Sequence, residues 1–139
     1  MRWQEPKTNW AWRGESEGDF FEYTDYNRIK NNLNYLKELA ASVYLPFKLK
    51  DMGGDKTRRD YPYADEINML ADNLEIIVKH TYPVPIGTKT VYEDNGKFIG
   101  FEDLNRIESA CLEIYRNLHR IKAGKYRLSF RLGARRMRI

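Results

Sequence analysis

Cysteine is almost missing from this chain of 139 residues: Cys111 is the single one. One thiol cannot close an internal disulfide, and no cysteine-based zinc site can form within one chain. Cys111 reads as a small buried apolar side chain. Histidine is nearly as scarce, and His80 and His119 stand at two different helix ends without a partner at ligand spacing. Long apolar runs are missing too. None approaches the ~20 residues that cross a bilayer, and the start Met1-Arg2-Trp3-Gln4-Glu5-Pro6-Lys7 has no signal-peptide apolar region. Synthesis and residence in the cytoplasm of the producing cell, away from membranes, are the expectation. No phosphate-cradling glycine motif occurs, because Gly53-Gly54 before Asp55-Lys56 is too short and reads as a turn. With no nucleophile beside a base, a protein that is not an enzyme is expected, with no catalytic residue, metal or cofactor. Glu66, Asp72 and Glu75 fall on the polar face of a helix, where solvation accounts for them. A carboxylate pair assembled in space is the enzymatic option that sequence leaves open.

Acidic residues are absent after Glu113. Residues 1–115 carry 15 Lys and Arg against 20 acids, whereas residues 116–139 carry nine Lys and Arg and no acid, so the net +4 divides into −5 and +9. What is present in quantity is aromatic: ten Tyr, six Phe and three Trp, which excludes a disordered chain. The length fits one domain able to bury its own core.

One pattern occurs three times: Thr24-Asp25-Tyr26-Asn27-Arg28-Ile29, Asp65-Glu66-Ile67-Asn68-Met69-Leu70 and Glu102-Asp103-Leu104-Asn105-Arg106-Ile107. With the asparagines aligned, apolar residues recur at helical spacing. The stripes are Tyr26, Ile29, Leu33 and Leu36; Ile67, Leu70, Leu74 and Ile77; and Leu104, Ile107, Cys111 and Ile114. Thr24 and Asp65 are suited to cap the helix starts, and the three asparagines read as part of the caps, bonding back to the capping region or making a polar contact between helices. Pro46, then Pro83 and Pro85, then Ala123-Gly124 mark the stops. In the second connector Thr88 to Tyr92 alternates, Asp94-Asn95-Gly96 makes a turn and Lys97-Phe98-Ile99 returns, a β-hairpin pattern. The fold expected is mainly α: a three-helix core over 24–122 with short β-hairpin excursions, inside one domain of 1–139.

The two ends read as attachments. Residues 1–23 hold Trp3, Trp10 and Trp12, which either strap across the core or anchor a neighbouring subunit. Residues 123–139 read as a basic strand and tail, with Tyr126, Leu128, Phe130 and Leu132 on one face and Lys125, Arg127 and Arg131 on the other. Arg135, Arg136 and Arg138 follow. This charge is a solvated face, a dock for an acidic protein surface such as residues 1–115 of another copy, or a contact for nucleic-acid phosphate. Lack of a nucleic-acid-binding signature on the helices favours protein.

Asp25 to Asn32, Asp51-Met52-Gly53 with Asp55-Lys56, Tyr63 to Asn68 and Leu104 to Cys111 together resemble a family of short tail-region proteins of phages and prophages of Gram-positive bacteria. The likeness takes in Pro6 to Trp10 and Leu128 to Gly133 and spans nearly the whole chain. It implies a virion setting, with other tail proteins and further copies of itself as partners, and no active site to carry over. The function expected is a structural or adaptor component of the tail or baseplate. A basic nucleic-acid-associated packaging or regulatory protein is the alternative.

Overall fold

The three stripes become three helices: α1 over Tyr23–Ala41, α2 over Ala64–His80 and α3 over Phe101–Met137. The computed structural model describes residues 2–11, 21–60, 64–81, 86–87, 91–93 and 100–137, with side chains as far as Lys125. All twelve stripe residues are buried, and they join Leu118, Ala40, Trp10, Phe47 and Met52 in one apolar cluster. Full burial of one such side chain stabilises the fold by about 1.5–3 kcal/mol, so the shared register closes the core.

The helices run parallel. Each aligned asparagine is the fifth residue of its helix, and the first turns lie side by side: Arg28 of α1 pairs with Glu108 of α3, while Lys56, held against α1 by Asn27, pairs with Glu66 of α2. The chain must therefore return along the bundle between helices. Residues 48–57 make that return between α1 and α2 without regular secondary structure and without a strand partner, bending at Gly53-Gly54.

Asparagine side chains replace the missing partner. Asn27 donates to the Lys56 carbonyl at 2.8 Å and accepts from its N–H at 2.7 Å. Asn68 holds Tyr92 in the same way, and Asn105 holds Trp10. Five residues further along, Asn32 holds Gln4 and Asn73 holds Lys50. A carboxamide presents one acceptor and two donors, so one side chain satisfies both backbone groups of an extended residue. Gln4 and Trp10 are six residues apart, as are Lys50 and Lys56. Each pair is gripped by two neighbouring helices, which makes the N-terminal segment the first extended piece of the repeat. In the third unit the corresponding residues are Ile86 and Tyr92. Ala110 stands where the second asparagine would be, and Arg106 donates to the Ile86 carbonyl at 2.9 Å instead.

Several sequence expectations are corrected. No strand occurs among the described residues. The expected C-terminal strand is helix: α3 passes through Gly124 and continues to Met137. Gly124 lacks the positive φ of a helix stop, which among the described glycines only Gly53 and Gly87 adopt. The β-hairpin is unsupported: residues 91–93 carry no strand, and 88–90 and 94–99 lie outside the described residues. Thr24 is not the cap of α1. That helix starts one residue earlier, and the Asp25 carboxylate accepts the Glu22 N–H at 2.9 Å. The three asparagines are clamps on distant chain rather than caps, because each stands a full turn inside its helix and spends its amide on the backbone of Lys56, Tyr92 or Trp10.

Candidate interaction surface

The helix starts meet at one end of the bundle, so three macrodipoles add there instead of cancelling. Acids answer them: Asp25 in α1, Asp65 and Glu66 in α2, Glu102 and Asp103 in α3. Near this end the N-terminal segment crosses α1 and α3, and Glu108 fixes it there. Glu108 is 1% exposed. Its carboxylate takes two bonds from Arg28, at 2.7 and 3.0 Å, one from the Trp10 indole N–H at 2.5 Å and one from the Lys7 N–H at 3.2 Å. Arg28 in turn donates to Asp25 at 2.8 Å. Burial alone would lower the Arg28 pKa, but the bonds and charges of Glu108 and Asp25 outweigh it and hold the guanidinium more firmly protonated than usual.

Trp10 is 4% exposed, stacked near Phe101 and covered by the Lys7 ammonium 4.4 Å from its ring. Trp3 stacks on Tyr115 at 4.1 Å and tilts against Tyr35. Both tryptophans therefore pack within their own chain as a strap. Trp12 lies outside the described residues.

The opposite end is unlike the first. Leu118 is the last buried residue of α3 among those whose side chains are described, and Ala123, Gly124 and Lys125 are exposed. α3 has 37 residues against 19 in α1 and 17 in α2. With level starts and about 1.5 Å per residue, it outreaches its neighbours by roughly 27 Å. Tyr126, Arg127, Arg131, Arg135 and Arg136 all lie on this extension, and Arg138 falls outside the described residues. Beside the root of the extension stands Leu45, 85% exposed, and Lys125 reaches back to the Val43 carbonyl at 3.4 Å.

The chain matches no family model, no curated protein and no solved structure. Its chemistry is read from its own residues. His80 stacks on Phe47 and its ring Nδ1 lies 2.9 Å from the Ile76 carbonyl, while His119 packs edge-on to Tyr115. Cys111 is buried, and desolvation, with Glu108 nearby, pushes its pKa to about 12. Among the described residues no group of three His, Cys, Asp or Glu could hold a metal ion, and no helix is long and apolar enough to cross a membrane.

Sequence reasoning missed Asn32, Asn73, Arg28 and Glu108. For the asparagines a signal existed: both stand five residues after the aligned asparagine, inside helices, where asparagine is a poor choice. Glu108 gave no signal, because its register position holds Lys30 in the first unit and Ala71 in the second. That position is buried in all three.

Proposed function

We propose that this protein is a structural or adaptor component of a tailed-phage particle, associated with the tail or baseplate and acting through protein-protein contacts. The observation that supports a docking role is the extension of α3: a helix that leaves its bundle, in a stretch with nine cations and no acid, beside the exposed Leu45. An acidic protein surface complements it, and residues 1–115 of a further copy, net −5, are one such surface. The phage setting rests on the sequence resemblance alone. The bundle then serves as a rigid spacer, made in the host and carried in the virion without catalysing a reaction.

Mass spectrometry of purified particles tests the setting: the protein is expected in the particles, and its confinement to host lysate overturns the reading. Deleting residues 125–139 tests the docking role. The truncated protein is expected to keep its helical circular dichroism and lose incorporation into particles. Undiminished incorporation would remove the extension from the interface.

The cation-only stretch also favours a second reading, a nucleic-acid-associated packaging or regulatory protein. That reading requires duplex binding that weakens steeply with salt and vanishes with residues 125–139. Absence of any retardation at low salt eliminates it.

A further inference from the structure

α3 faces its neighbours with Leu104, Ile107, Cys111, Ile114 and Leu118, all buried. With the aligned asparagines level, Ala41 at the end of α1 stands beside His119, and His80 at the end of α2 stands beside Asn117. The three-and-four spacing does not stop there, because Ile121, Lys125, Leu128 and Leu132 occupy the next positions of the same line along α3. Cover thins along it, from buried Leu118 to half-buried Ile121 to exposed Lys125. The Lys125 ammonium still reaches the Val43 carbonyl at 3.4 Å, so the line keeps facing the end of α1 as it leaves the bundle. The positions beside the line hold Lys122, Gly124, Ser129, Arg131 and Arg136, and no acid follows Glu113.

We propose, resting on the docking role of this extension, that its partner is an acidic amphipathic helix of a different protein. An apolar line that recurs every three and four residues is covered by a second helix whose own apolar residues interlock with it. From Ile121 to Leu132 the line runs about 17 Å, room for three turns of such a helix. The charges on its flanks choose the partner. A second copy of the extension would set Lys122, Arg131 and Arg136 against cations in either orientation, so two extensions repel. Asp or Glu on both flanks of the partner answers them. The apolar lines of α1 and α2 are spent in the core of their own bundle, so those helices of a further copy are not available. Nucleic acid would answer the cations but leave Ile121, Leu128 and Leu132 without apolar cover.

Fluorescence anisotropy with the full-length protein tests this. The probes are a labelled peptide of about three heptads with Leu at the two seam positions and Glu at the flanking ones, a twin with Lys in place of Glu, and a DNA duplex. The Glu peptide is expected to bind and the Lys peptide not. Leu128→Ser with Leu132→Ser keeps every cation and is expected to weaken Glu-peptide binding by roughly a hundredfold, about tenfold per leucine. Lys122→Glu, Arg131→Glu and Arg136→Glu together are expected to reverse the preference to the Lys peptide, a gain that an unfolded extension could not give. Equal binding of the two peptides, binding that survives the serine replacements, or a duplex held more tightly than the Glu peptide overturns the helical partner. Self-association of the intact protein that the serine replacements abolish would show that extensions cover one another, and overturns it too. Loss of particle incorporation on deleting residues 125–139, with no binding of the Glu peptide, overturns the acidic helix and leaves the docking role standing.

Discussion

Asn73 is fully enclosed in α2, and its amide both accepts the Lys50 N–H at 2.8 Å and donates to the Lys50 carbonyl at 3.0 Å. Alanine is the better helix former, so helix propensity alone would make Asn73→Ala mildly stabilising. The clamp reverses the sign. Two backbone groups lose their partners, and the variant is expected to be less stable by about 1–3 kcal/mol in urea unfolding. A gain in stability would show that water replaces the clamp. Glu108 carries more, since its loss takes two bonds from the Arg28 guanidinium, leaving it Asp25 alone, and strands the Trp10 indole N–H and the Lys7 N–H. Glu108→Ala should cost about 3–5 kcal/mol, and near-ultraviolet dichroism should report Trp10 leaving its place. A small cost with an unchanged tryptophan signal contradicts the role of Glu108 as the anchor of the strap. At this scale the sequence located the aligned asparagines but not their work. A clamp needs a second chain segment at the right distance, and local spacing carries no record of that distance.

α1 and α2 were legible as elements because their apolar stripes repeat at three and four residues and end near proline or a polar break. α3 was legible for its first five turns and misread afterwards. Residues 125–132 alternate, which is the strand pattern, but they are also rich in Lys, Arg and Leu, which are strong helix formers. A strand there would need an edge to pair with, whereas a helix already nucleated upstream extends at the cost of one residue at a time. Cations toward a helix C-terminus also complement its dipole. Gly124 decides between the two readings experimentally. Inside an exposed helix, with no neighbour within 4 Å of a Cβ, Gly124→Ala is expected to stabilise by about 0.5–1 kcal/mol and to raise helical dichroism. A helix stop in the left-handed region would instead be destabilised by the same change.

The whole molecule is a parallel bundle in which unequal sequence segments are bound into one approximate threefold pattern. Its buried and half-buried acids with high pKa values give it an alkaline limit. Burial and the charges of Glu66 and Asp65 push Tyr26 to about 12, burial and Asp103 push Tyr92 to about 12, and Cys111 rises from 9.0 to about 12. Each group is held neutral in the fold, so its contribution is whole below its ordinary pKa. As pH rises past about 9 the unfolded chain releases these protons first, and stability falls until the folded groups ionise near 12. The slope is up to about 1.4 kcal/mol per pH unit for each group. Urea midpoints at pH 8, 10 and 11 should decline accordingly, and Cys111→Ala should remove the part of the decline that begins near pH 9. A flat profile would contradict it. The amino-acid sequence by itself determined the three amphipathic helices, their common register, the identity of the core and the separation of charge along the chain, because each is a matter of neighbours a few residues apart. Only the tertiary structure decided that the helices run parallel, that returning chain is pinned by asparagine, that the N-terminal segment is part of the repeat and that α3 continues past the bundle. Those features depend on which distant groups can satisfy one another's hydrogen bonds and charges once the chain has closed.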